Sequence, residues 1–129
     1  MIDKRTTYEL VKEFHRTFGV PELSSAGFPD NKRRALRLEL IEEEFHELLD
    51  AEDEDNLVEV ADALSDLSYV IAGMALEYGI DLDACVNEVH RSNMSKLGAD
   101  GRPIYRDDGK VIKGPNYSPP DLTPFVRAE

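Results

Sequence analysis

Three absences bound this chain before any motif does. A single cysteine, Cys85, stands among 129 residues, which excludes an intramolecular disulfide framework and any cysteine-based zinc site. No apolar run approaches the roughly 20 residues that a membrane-spanning helix needs. The opening residues, Met1-Ile2-Asp3-Lys4-Arg5, lead into a polar, amphipathic stretch without the apolar core of a secretory signal. A soluble protein of the cytoplasm is the expectation. The most informative absence is of positive charge. Residues 42–90 hold 16 Asp and Glu and no Lys or Arg, whereas residues 1–41 carry eight basic and six acidic side chains and residues 91–129 carry seven and five. The net charge of −12 argues against nucleic acid or an anionic membrane as partner, because both surfaces are themselves negative.

What is present is enough for one domain over residues 1–129, with 41% of positions hydrophobic. Thr6 or Thr7 is placed to cap a first helix that ends at Gly19 and Pro21, with Leu10, Val11, Phe14 and Phe18 at helical spacing. Asp30 or Asn31 starts a second helix reaching about Ala51. After the polar break at Asp53, Asp55 and Asn56, a third runs from about Asn56 to Tyr78 and stops at Gly79. Asp81 opens a fourth, to about Leu97, closed by Gly98. The helical core thus spans about 6–97. Residues 98–129 then read as a short hairpin about Asp108-Gly109 and an extended proline-rich tail. The fold class is all-α: a four-helix bundle with a short C-terminal β-hairpin.

Helical geometry shows where the acids point. On the second helix Ile41, Phe45, Leu48, Leu38 and Leu49 form the apolar stripe. Relative to Ile41, Glu44, Glu47 and Glu43 fall at about −60°, −120° and −160°, on the side where Leu36 and Leu40 lie one or two turns earlier. Glu39 and Glu42 lie on other sides and are expected in solvent. The third helix is apolar almost all round and should be buried, which predicts a homodimer or a homotetramer built from dimers, since one chain offers too few helices to cover it. Its polar exceptions, Glu59, Asp62 and Asp66, lie within about 60° of one another, and Val70 and Gly73 continue their line. Clustered carboxylates on a buried helix need compensation. It must come from the ends of the chain, another subunit or a cation. An all-oxygen set of acids suits Mg²⁺ or Mn²⁺ better than zinc, and Mg²⁺ completes its shell with waters and substrate phosphates.

Glu43-Glu44-Phe45-His46-Glu47 followed by Glu59-Val60-Ala61-Asp62 resembles the EExxE and ExxD motifs of the all-α nucleoside triphosphate pyrophosphatase superfamily, which includes MazG, dimeric dUTPases and phosphoribosyl-ATP pyrophosphohydrolase. Residues 61–70 are similar to that superfamily's third helix, and Asn93-Met94-Ser95-Lys96-Leu97 resembles the Asn/Lys element of MazG-like members. The resemblance covers roughly residues 34–118. It implies a MazG-like bundle and Mg²⁺-dependent hydrolysis of a nucleoside triphosphate to monophosphate and pyrophosphate. It also implies Glu44, Glu47, Glu59 and Asp62 as metal ligands and Glu43 and Glu44 as the catalytic carboxylates, with Glu43 holding a second metal or orienting the attacking water and a carboxylate taking its proton. Asn93 and Lys96, with Arg91, would contact phosphate oxygens. Asp66 matches a recurrent acid of the third helix, with a purely structural role as the other reading.

Three rival readings follow from the same residues. Phosphoribosyl-ATP hydrolysis in histidine biosynthesis is the alternative within the enzyme class. A non-catalytic helical oligomer, whose acids hold structural cations or a basic partner, is the alternative outside it. Glu43 and His46 form one Glu-x-x-His pair, but a ferritin-like di-iron site needs two, and the other helices offer ExxD and Asn87-Glu88-Val89-His90. His15 and His90 lack companions at ligand spacing and are assigned core or rim positions. The hairpin cations Arg102, Arg106, Lys110 and Lys113 are placed to cover a phosphate site, to meet a subunit, or simply to be solvated.

Overall fold

Each of the first three helices starts where a short polar side chain accepts a hydrogen bond from a first-turn N–H, one of the donors that have no partner inside the helix. The computed structural model describes residues 2–126. Helix α1 (Thr7–Phe18) is capped by Thr6 in a reciprocal box with Glu9 and is closed by Gly19, whose φ of +70° is left-handed. Helix α2 (Asn31–Asp53) is capped by Asp30, which accepts from Arg33 N at 2.9 Å. Helix α3 (Leu57–Glu77) is capped by Asn56, which accepts from Glu59 N at 3.2 Å. Between α2 and α3 the chain reverses in three residues, with Asp55 at φ +50°, a conformation Asp tolerates better than most. Helix α4 (Leu82–Met94) ends three residues before the expected Leu97, because Ser95 Oγ and Lys96 N turn back onto the carbonyls of Ser92 and Asn93. Strands β1 (Ile104–Tyr105) and β2 (Val111–Ile112) form the expected antiparallel hairpin, Ile104 opposite Ile112 and Tyr105 opposite Val111. Among the described residues, no helix is long and apolar enough to cross a membrane.

The chain divides into two compact units, the first holding the described residues up to Leu82 together with Val126, and the second running over Asp83–Phe125. Most of α4 therefore belongs with the hairpin and tail rather than with α1–α3. In the first unit Val11, Ala72 and Leu76 form a small buried core, with Tyr8 and Leu82 packed against it. The C-terminal half of α3 is the buried half: Ala72, Gly73, Ala75, Leu76 and Glu77 are all inside.

Glu77 is 1% exposed, and its compensation comes from α2. Arg33 forks onto its carboxylate, with Nε 3.0 Å from Oε2 and Nη2 on Oε1. Arg37, itself buried, brings Nη1 to 3.5 Å of Oε1 and donates from Nη2 to the Val70 carbonyl at 2.9 Å. Gly73 makes room for this guanidinium, since a Cβ there would overlap it and would crowd Nε2 of buried His15 at 3.2 Å. Arg33 and Arg37 thus pin the start of α2 to the end of α3 and set the two helices antiparallel.

Much of the apolar stripe expected to form the core is instead uncovered. Leu38 is 57% and Phe45 48% exposed on α2, and Leu57 and Val58 are 80% and 77% exposed at the start of α3. The reason is geometric: α1 packs along α3, leaving the outer sides of both α2 and the first half of α3 without a partner in the first unit.

Removing one partner of a buried ion pair leaves the other charge desolvated. Glu77→Ala should therefore cost about 3–5 kcal/mol, read as a lower midpoint in urea with the slope unchanged. A loss below about 1 kcal/mol, the scale of a surface ion pair, would refute this role for Glu77.

Candidate metal centre

The register set by Arg33 and Glu77 carries along the seam. Eleven residues on from Arg33 is Glu44, and eleven back from Glu77 is Asp66, three turns or about 16 Å in each helix. Glu44, Glu47 and Asp66 each place a carboxylate oxygen within 4.8 Å of the other two. Here no arginine intervenes, because the basic residues of α2 stop at Arg37 and α3 has none.

Glu44 bears the cost. It is half-buried, and its Oε2 is shielded from solvent without a hydrogen-bond partner. Loss of water around the carboxyl, then a hydrogen bond shared with Glu47 and the charges of Glu47, Asp66 and Asp62, push it up to about 7. Glu47 is exposed and stands at the mouth of the cluster. Glu59 and Asp62 lie toward the start of α3, where with Glu47, Asp50, Glu54 and Asn56 they line a cavity of about 480 Å³. Glu43 borders a different groove, of about 630 Å³, with Glu39, Glu42, His46 and Glu47. His46 turns toward Glu42, Nε2 to Oε1 3.6 Å, so the Glu43–His46 pair does not converge as a ligand pair.

Of the four expected ligands, Glu44 and Glu47 are therefore in the tight cluster, while Glu59 and Asp62 flank it around a shared cavity. The cluster's third member is Asp66, the acid that the sequence left between a structural and a functional role. Its signal was its place on the line of Glu59 and Asp62. The orphaned carboxylate oxygen of half-buried Glu44, facing two more carboxylates, offers the oxygen-only donor set that hard divalent cations take, and no Lys or Arg follows Arg37 on α2 or occurs on α3 to satisfy it.

In the second unit, Asn93 lies near the end of α4 and Lys96 just beyond it, half-buried. Arg91 is committed elsewhere: Nε and Nη2 bind Glu88 at 2.7 and 2.9 Å, and Nη2 also donates to the Pro119 carbonyl at 3.2 Å. Glu88 is held down at about 2 by Arg91 and by the N–H of Asp121.

Fold and site together define an all-α protein, with one short β-hairpin, that carries an acidic, all-oxygen cluster on two antiparallel helices. The model for the phosphoribosyl-ATP pyrophosphohydrolase family matches residues 11–93, which include every acid of that cluster, and the chain belongs to this family. It is 38% identical over 115 residues to the uncharacterized protein L479 of Acanthamoeba polyphaga mimivirus. That match covers 86% of this chain and 43% of L479, so the chain spans less than half the length of that relative. A crystal structure from Exiguobacterium sp. 255-15, provisionally named an NTP pyrophosphohydrolase, is 29% identical. There the match covers 92% of this chain and 90% of that one, with a TM-score of 0.45.

The raised Glu44 carboxyl makes metal-free stability depend on pH. Between its ordinary value and about 7, the folded state holds a proton that the unfolded state has released. Stability from this group is therefore full at the low end of that window and is lost as pH rises through it. Buried His15 acts oppositely: burial, then the charge of Arg37, lowers it, so its contribution is lost as pH falls. A variant comparison cancels His15. Metal-free Glu44→Gln, which mimics the protonated carboxyl, should melt a few degrees above wild type at pH 8 and together with it near pH 5. A difference in melting that does not change with pH would contradict the crowding described here.

Proposed function

We propose that this protein hydrolyses the α–β phosphoanhydride of a nucleoside triphosphate, adding one water and releasing nucleoside monophosphate and pyrophosphate. The observation that carries the reading is the orphaned Oε2 of Glu44 set against Glu47 and Asp66, in a chain of the phosphoribosyl-ATP pyrophosphohydrolase family. Glu44, Glu47 and Asp66, with Glu59 and Asp62 beside them, would hold Mg²⁺, or Mn²⁺ in its place. When bound, such a cation neutralises charge developing on phosphate oxygens and lowers the pKa of water in its shell. Glu43 and Glu44 are the carboxylates assigned to orient the attacking water and accept its proton. Asn93 and Lys96 contact phosphate oxygens, the ammonium acting as a point charge, and Arg91 anchors the tail. The address of this activity is the cytoplasm. Phosphoribosyl-ATP, which carries the same bond, is the second substrate reading, favoured by the name of the matching family.

The reading also includes self-association. Leu38, Phe45, Leu49, Leu57, Val58 and Leu64 are all exposed on α2 and α3, and exposed apolar faces of this kind mark sites of association. A second copy covers it in a homodimer, or in a homotetramer built from two such dimers.

With Mg²⁺ and a panel of ribo- and deoxynucleoside triphosphates and phosphoribosyl-ATP, chromatography should show monophosphate and pyrophosphate. Glu47→Gln should abolish turnover and remove the Mg²⁺-dependent rise in melting temperature. Orthophosphate with a diphosphate as products, or full activity in Glu47→Gln, would overturn the assignment. Light scattering at micromolar concentration should give the mass of a dimer or tetramer; a monomer would overturn the assembly.

A further inference from the structure

The second unit contains a pocket of about 330 Å³ lined by Asn93, Met94, Lys96, Leu97 and Val111. Three walls are apolar, and the two polar groups are an amide, which donates and accepts, and an ammonium. Ligand sites are built this way, mostly apolar with a few placed polar groups, and the volume falls at the small end of their range of about 300–1,000 Å³. Among the described residues, the ion pairs of this unit engage Arg91 with Glu88 and Arg106 with Asp108. Lys96 is half-buried and, among the described residues, is in neither of these pairs.

The pocket is held in shape by backbone contacts. Val111 is fixed opposite Tyr105 by the hairpin ladder. Three residues on, Gly114 N donates to the Lys96 carbonyl at 2.8 Å. A Cβ on Gly114 would overlap the Leu97 carbonyl, so only glycine lets the strand exit lie this close to the turn. Ser118 N donates to Ser95 Oγ at 2.8 Å, and Asp121 N to Glu88 Oε2 at 2.8 Å, fastening the tail along α4 and the turn after it. Asn93, Lys96 and Val111 therefore meet in a preformed arrangement, although they come from different parts of the chain.

We propose that this pocket binds the base and sugar of a nucleoside monophosphate moiety. Met94, Leu97 and Val111 pack against the heterocycle and sugar, and Asn93 and Lys96 receive the phosphate at the polar edge of the pocket. The hairpin is thereby the selectivity element, since its Val111 closes the apolar wall. The inference rests on the nucleotide reading above and names where the nucleoside part is recognised.

Methyl NMR on the full chain, labelled at Met and Val, tests it without requiring turnover. The eight common ribo- and deoxynucleoside monophosphates are titrated in turn, with inorganic phosphate as control. At least one monophosphate should shift the Met94 and Val111 methyls saturably, and phosphate should not. Val111→Trp, which fills the pocket from an exposed strand, should weaken that titration by about tenfold or more. Ile112→Trp, on the opposite face of the strand, should leave it unchanged. If no monophosphate shifts these methyls, if phosphate alone reproduces the shifts, or if both Trp variants bind as wild type does, the pocket assignment is overturned, even in a protein that releases pyrophosphate. If monophosphates bind here and no triphosphate is hydrolysed, the pocket stands and the reaction assignment falls.

Discussion

Arg33 and Arg37 close on Glu77 at one end of the α2–α3 seam, and the rest of the first unit is arranged by that contact. Glu77 has lost its water, so its charge is tolerable only where two guanidiniums and their hydrogen bonds replace it. Because those guanidiniums come from the start of α2 and the carboxylate from the end of α3, satisfying them fixes both the antiparallel direction and the axial register. Three turns on, the same register leaves Glu44, Glu47 and Asp66 facing one another. One end of the seam is neutralised by the chain, and the other is left for something else to neutralise.

The second end breaks a rule that the first obeys. Buried polar atoms are normally paired, yet Oε2 of Glu44 is not, and its carboxyl is pushed up to about 7. Local violations of this kind concentrate where function requires them. On the proposed function, the stability they take away would be returned by a bound cation, because a ligand that prefers the folded state stabilises it by mass action. The arginine lock then has a second consequence. By fixing the register at a distance, it holds like charges together that would otherwise slide apart.

The second unit follows a different physical plan. Its strands are two residues long and exposed, and such a hairpin is marginal by itself. Its order comes from backbone and short-side-chain contacts to α4 and the turn that follows it: Gly114 on Lys96, Ser118 on Ser95, and the Asp121 N–H on Glu88. These contacts place side chains distant in sequence around one small cavity.

The sequence by itself determined the helices, because caps and periodicity are local. Thr6, Asp30 and Asn56 cap as their positions imply, Gly19 closes α1, and the hairpin turns at Asp108-Gly109. It also determined that two acid-bearing helices exist and that Glu59, Asp62 and Asp66 share a face continued by Val70 and Gly73, since both follow from 3.6 residues per turn. Which acids meet was decided only by tertiary structure. A helical wheel fixes direction around an axis and says nothing of axial offset between two helices, so it could not separate Asp66 from Glu59 and Asp62 as the partner of Glu44. Nor could it show that Glu77 takes its charge balance from Arg33 and Arg37, some forty residues earlier. The apolar stripe of Leu38, Phe45 and Leu49 was legible as a stripe, but its covering was not. Periodicity marks a face that avoids water, and only the packed structure shows whether the chain has anything left to lay against it.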